Sequence, residues 1–235
     1  MFHLSRQLLG GLLLALAAAT GLADEACRVG FDMGSSGIRA GASNSDKTAR
    51  AEIDYLGPLW AGQGLRDTLA PTIAALRQLP EQGGFDPACE RVGGGFSAWR
   101  LALQQDPSAL VAALAEIHAA SGVAVLVVPQ LQEGAYGHAG ARQLLGERLK
   151  TTHVLDIGGG SLQVAGERSS YGEALGQKIW QRHLCQEIRN SESAPCFLQP
   201  LTGDELEVAR QVAREKLSGV TTALPGQVTM TAISR

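Results

Sequence analysis

The sequence predicts an α/β fold in which two similar lobes face one another across a cleft. Three observations lead there. VGFDMGSSGIRAGA (Val29 to Ala42) and LDIGGGSLQVAG (Leu155 to Gly166) both read strand, aspartate, tight Gly/Ser turn, strand. Between them the hydrophobic period changes from alternation to helical spacing, and then to the continuous apolar run Val123 to Val128. The resulting order, βββαβαβα, restarts at the second hairpin, so the repeat is one of lobes and not of a short solenoid unit.

Each element follows from local chemistry. RVGFDM, GIRAGAS and ARAEIDYL are strand-like runs separated by short Gly/Ser/Asn/Asp turns, which predicts an antiparallel meander. Thr68 to Leu79 places Leu69, Ile73, Leu76 and Leu79 on one helical face, with Pro71 near its start. ERVGGGFSA reads as a strand ending in glycines. Asp106-Pro107 is an N-cap and N1 pair opening a helix through His118. Val123 to Val128 has no polar alternation, the pattern of a buried parallel strand, and a helix from about Glu133 to Lys150 follows. The second lobe holds a helix near Gln177 to Ile188 and another that starts at the capping box Thr202-x-x-Glu205 and runs to about Leu217. QVTMTAIS is its last strand. The second lobe is thus expected to be short, with lobes at residues 24–150 and 151–235.

Composition sets the class. The chain has 235 residues, 45% hydrophobic and 18% charged, with a formal net charge of −3 and no Lys/Arg run. That is a globular composition, and it argues against a nucleic-acid partner. Residues 1–23 read as a secretory signal peptide: Arg6, then an apolar run, then Gly21 and Ala23 as small residues before Asp24. Cleavage removes Arg6, takes the net charge to −4 and leaves no stable membrane anchor. Export, to the periplasm on this reading, permits disulfides. Cys27, Cys89, Cys185 and Cys196 contain no CxxC pair, so zinc is not expected, and four cysteines allow three pairings.

The two hairpins carry the chemistry. A Gly/Ser turn lets backbone N–H groups converge on one concavity, because glycine takes φ > 0 without steric cost and admits close approach. Such a nest binds phosphate. A carboxylate beside it holds Mg²⁺ or a metal-bound water, the role expected of Asp32 and Asp156.

With these motifs in order, the sequence resembles the actin-like (ribonuclease H-like) ATPase fold shared by actin, Hsp70 and sugar kinases. Within it the sequence resembles two groups of phosphoanhydride hydrolases: the exopolyphosphatase/guanosine pentaphosphate phosphatase (Ppx/GppA) family and the apyrases. FDMGSSGIR resembles their first phosphate loop and LDIGGGSLQVAG their second. GGGFSAWRLAL resembles the block in which an Arg follows a small-residue turn, and VVPQLQEGAYGHAGARQLLG the block with the catalytic Glu. His138 stands where apyrases carry a tryptophan. The likeness covers Val29 to about Trp180.

The resemblance implies a set of roles. Backbone N–H groups of Gly34, Ser35, Ser36, Gly158, Gly159, Gly160 and Ser161 cradle phosphates. Arg39 and Arg100 neutralise phosphate oxygens, Asp32 and Asp156 hold Mg²⁺, and Glu133 activates the attacking water. Read from the residues alone, Arg39 is also a solvated strand residue, Arg100 is placed to pair with a surface acid, and Glu133 suits a helix start. In this fold the first strand lies beside the fourth, so the resemblance also implies bridges Cys27–Cys89, at the sheet edge away from the phosphate turns, and Cys185–Cys196. The implied function is release of terminal phosphate from polyphosphate or a nucleoside polyphosphate. A homodimer is one expected assembly. The rival readings are a non-catalytic polyphosphate or nucleotide binder and a sugar kinase, the latter disfavoured by export.

Overall fold

In the computed structural model, residues 26–191 and 196–234 are described, so the expected signal peptide lies outside them. The first lobe opens with β1 (Arg28–Met33), β2 (Gly37–Ala42) and β3 (Thr48–Glu52). These form the expected antiparallel meander, with Asp32 opposite Arg39 and Met33 opposite Ile38. The run ARAEIDYL does not stay extended: it turns after Glu52 into the short helix α1 (Leu56–Trp60). α2 (Arg66–Gly83) is longer than its sequence pattern, and its buried face centres on Thr68, Thr72, Leu76 and Leu79. Two threonines sit there because each hydroxyl is satisfied within the helix. Thr68 Oγ1 donates to the Leu65 carbonyl at 2.7 Å and Thr72 Oγ1 to that of Thr68 at 2.6 Å.

β4 (Glu90–Gly95) lies parallel to β1, α3 (Ser97–Gln105) follows it, and α4 (Pro107–Ser121) begins as expected. The Asp106 side chain accepts from the Ala109 N–H at 2.9 Å. β5 (Ala124–Val127) closes the sheet, whose order is β3-β2-β1-β4-β5. It is parallel to β4, as its apolar run predicts, but it is an edge strand and only half buried. Val125 and Val127 pack on the core, while Leu126 is 75% exposed.

α5 (Gln130–Leu145) and a 3₁₀ turn (Gly146–Arg148) replace the single helix expected from Glu133 to Lys150. The helix starts three residues earlier because Pro129 caps it and its carbonyl takes the Glu133 N–H at 2.9 Å. β6 (His153–Ile157), β7 (Leu162–Gly166) and β8 (Ser170–Glu173) repeat the meander. α6 (Gln177–Arg189), α7 (Gly203–Lys216), α8 (Val220–Ala223) and β9 (Met230–Ser234) complete the described chain. The second sheet has the order β8-β7-β6-β9, with β9 parallel to β6 as β4 is to β1. α7 carries the predicted capping box.

The two lobes are unequally packed. The first holds a large core including Phe31, Met33, Ile38, Leu56, Leu76, Trp99 and Ile117. At its centre Tyr55 tilts against Trp99, ring centroids 5.4 Å apart, and its hydroxyl bonds Thr72 Oγ1 at 2.7 Å. Burial pushes the Tyr55 phenol far above its ordinary range, so it stays neutral. The second lobe's buried cluster is built on Val164, Tyr171 and Leu224. Each lobe carries one disulfide, and both pairings implied by the resemblance are present. Cys27–Cys89 joins the starts of β1 and β4, Cα atoms 4.7 Å apart, and Cys185–Cys196 ties α6 to the segment after it. Two disulfides suit an oxidising compartment. Among the described residues no helix is long and apolar enough to cross a membrane.

Candidate active site between two glycine turns

The two turns have the same hydrogen-bond closure. Gly34 N–H donates to the Gly37 carbonyl at 3.0 Å, and Gly158 N–H to that of Ser161 at 3.0 Å. These two amides therefore close the turns and do not face a ligand. Each turn is then pinned from behind. Ile53 N–H donates to Ser36 O at 3.1 Å, while Gln177 and Lys178, at the start of α6, donate to Gly158 O and Gly159 O at 2.9 and 2.8 Å.

The glycine run has a steric cause more than a conformational one. Of the turn glycines only Gly37 has a positive φ, at 147°. Gly159 and Gly160 lie at the contact between the lobes: a Cβ on Gly159 would stand 2.3 Å from Ser35 Oγ and one on Gly160 2.7 Å from Ser97 Oγ, so the serine side chains would have to turn aside. The two hairpins meet tip to tip across the molecular midline.

On one side of that contact opens a cleft of about 620 Å³. Of the predicted residues it is lined by Asp32, Gly34, Ser35, Ser36, Arg39, Gly158 and Gly159. Arg50, Asp54 and Lys178 line it as well, and nothing in the sequence pattern singled them out. Lys178 Nζ lies 3.1 Å from Asp54 Oδ1, joining the lobes at the cleft, and four residues along α6 the Arg182 guanidinium sits 4.8 Å from the Trp60 ring centroid. The ion pair is exposed enough for solvent to weaken it.

Arg100, Glu133 and Ser161 do not line this cleft. Nor do Gly160 and Asp156, whereas Arg100, Glu133 and Ser161 form a network of their own. Arg100, from α3, donates to Glu133 Oε2 at 2.8 Å, to the Val128 carbonyl at 3.0 Å and to Ser161 Oγ at 3.1 Å. Arg100 thus pairs with a buried acid instead of the surface acid its sequence context suggested. Gln163 Nε2 donates to Glu133 Oε2 at 2.9 Å and to Ser161 Oγ at 2.8 Å. Gln163 is 1% exposed, and sequence reasoning passed over it. The available signal was a polar residue at an inward position of an otherwise apolar strand. Its Oε1 is buried with no hydrogen-bond partner among the described residues, leaving an acceptor beside Glu133. Asp156 stands opposite Gln163 in the β6–β7 ladder, as Asp32 stands opposite Arg39 in β1–β2.

Among the described residues no three His, Cys, Asp or Glu side chains group into a metal cage. Asp32, near the end of β1, and Asp156, near the end of β6, stand beside the glycine turns and suit a different arrangement. Mg²⁺ takes one or two carboxylates and fills its octahedron with water and substrate phosphate.

No protein-family model matches the sequence, and no curated protein matches it significantly. Solved structures do. A crystal structure of an exopolyphosphatase-like protein superposes with a TM-score of 0.68 at 17% identity, covering 89% of this chain and 65% of that one. A Ppx/GppA enzyme of Aquifex aeolicus gives 0.62 at 19% identity, covering 89% and 67%. An exopolyphosphatase from Cytophaga hutchinsonii gives 0.59 at 14%, covering 88% and 66%. The chain has the two-lobed actin-like fold of the Ppx/GppA exopolyphosphatases. It spans about two thirds of the length of these structures, and at such identities the likeness is one of fold.

Proposed function

We propose that the protein is an exported phosphoanhydride hydrolase that removes terminal phosphate from polyphosphate or a nucleoside polyphosphate. One observation carries the reading: the buried Arg100–Glu133–Gln163 network is hydrogen-bonded to Ser161, the residue that follows the second glycine turn. A carboxylate so held is an acceptor of fixed position, which a general base requires. The fold of exopolyphosphatases supports the same chemistry.

In this mechanism the phosphate chain enters from the cleft, and its terminal group parts the Ser35–Gly159 contact. Amide groups of Ser35, Ser36, Gly159, Gly160 and Ser161 receive its oxygens, and Arg39 neutralises charge on the cleft side. Arg100 does so from behind while holding Glu133. A water donating one hydrogen to Gln163 Oε1 lies within reach of Glu133. Its oxygen attacks the terminal phosphorus, its proton passes to the Glu133 carboxylate, and the anhydride P–O bond breaks with the shortened chain as leaving group. Asp32 and Asp156 would hold Mg²⁺, which supplies neutralisation of phosphate charge. A periplasmic location fits the two disulfides.

The test is phosphate release from polyphosphate, ATP, ADP and pppGpp, with Mg²⁺ and with excess EDTA. Release is expected with Mg²⁺ and lost in EDTA. Glu133→Gln is expected to lower turnover by about 10²–10⁴-fold while substrate binding persists. Binding with no release by the unaltered protein would instead establish the non-catalytic reading. Near-normal turnover of Glu133→Gln would leave Glu133 as a helix-start residue.

A further inference from the structure

The opposite end of the second lobe holds a polar cavity of about 450 Å³ that shares no lining residue with the cleft. It is built where α5 ends, β6 begins and the β7–β8 turn passes, and its lining includes His138, Arg142, His153, Arg168 and Ser169. β6 separates it from the phosphate turns by four residues, roughly 13 Å of strand. We propose that this cavity is a second anion site, which takes a phosphate-class dianion: inorganic phosphate or the phosphate group of a small phosphomonoester.

The charge balance points that way. Two guanidinium groups face one carboxylate, Glu167, so the fixed charge of the lining is positive. Glu167 is taken by Arg142, whereas Arg168 is exposed and makes no ion pair among the described residues. Cations gathered in a concave site with low-dielectric walls raise the local potential and recruit an anion.

Hydrogen bonding points the same way. His153 is fully engaged, with Thr152 Oγ1 at 2.9 Å on Nδ1 and Ser169 Oγ at 2.8 Å on Nε2, so it holds Ser169 in place. His138 is different. It is only 9% exposed, lines the cavity and has no hydrogen-bond partner among the described residues. Its ring nitrogens are not sealed from the cavity, so they can bond to a ligand that enters it. Burial first, and then the neighbouring His138, hold the His153 imidazole below its ordinary pKa. The donors come from two places in the fold, His138 and Arg142 from α5 and Arg168 from the β7–β8 turn. A tetrahedral oxyanion can accept from Arg168, His138 and Arg142 at once. The cavity lies within the usual range for small-molecule sites.

The proposal stands apart from the hydrolase reading, and its test needs no turnover. Inorganic phosphate is titrated into the full protein while the histidine imidazole signals are followed by NMR, with His118 and His183 as references. Saturable shifts of His138 and His153 are expected. Arg168→Ala, a change at an exposed position, should weaken that response about tenfold or more, and Arg168→Lys should recover part of it. Arg39→Ala, in the cleft, should leave it unchanged. Tighter saturation by glycerol phosphate than by inorganic phosphate would identify the phosphomonoester as the better ligand. Failure of His138 to respond to millimolar phosphate, an equal response to acetate, or a response that Arg168→Ala leaves intact would each overturn the proposal.

Discussion

Replacing Arg100 by Met separates the structural role of the buried network from its chemical one. The side chains of Arg100 and Glu133 are 14% and 9% exposed, so solvent screens their interaction little. Arg100→Met removes hydrogen bonds to Glu133, Val128 and Ser161 and leaves the Glu133 carboxylate buried with Gln163 as its remaining partner in this network. Breaking one side of a buried pair costs about 3–5 kcal/mol. For a protein of this size that is a fall in Tm of roughly 6–20 °C. The double variant Arg100→Met/Glu133→Gln removes the stranded charge and should recover about 1–3 kcal/mol of the loss. The assay is urea unfolding in oxidising buffer, followed by tryptophan fluorescence, since Trp99 is fully buried beside Arg100. A loss below about 1 kcal/mol for Arg100→Met, or a double variant no more stable than the single, would refute the argument that the pair is buried and coupled.

Two further perturbations test the packing. A Cβ on Gly176 would stand 2.4–2.5 Å from backbone atoms of Gly159, Gly160 and Ser161, which cannot rotate away. Gly176→Ala should therefore push α6 off the second turn, weaken the Gln177 and Lys178 bonds to it, cost about 2–4 kcal/mol and depress phosphate release, as read by thermal melting and the release assay. Non-reducing peptide mapping should find Cys27 joined to Cys89 and Cys185 to Cys196. Replacing the first pair by serine should cost about 4 kcal/mol by the chain-entropy argument, since its cysteines are 62 residues apart. A Cys27–Cys185 or Cys27–Cys196 bridge would contradict the parallel pairing of β1 with β4.

The sequence alone carried the α/β class, the repeated strand-turn-strand unit, the Asp106 cap, the Thr202 capping box and the parallel character of β5. All of these are written in local period or local hydrogen bonding, and they survive folding because the tertiary contacts agree with them. The resemblance supplied the cysteine pairs, through the neighbouring of β1 and β4. Other features depended on contacts between residues far apart in the chain, which no local pattern encodes. Leu126 is exposed because β5 is the edge strand of its sheet. The face of α2 rotates toward Thr68 and Thr72 because their hydroxyls find carbonyls in the same helix. Arg100 turns inward because α5 brings Glu133, from 33 residues away, to 2.8 Å, and β7 adds Gln163 from 30 residues further. The glycines at 159 and 160 face Ser35 and Ser97 in the other lobe, so the sequence announced a tight turn but only the packed lobes decided what it turns against.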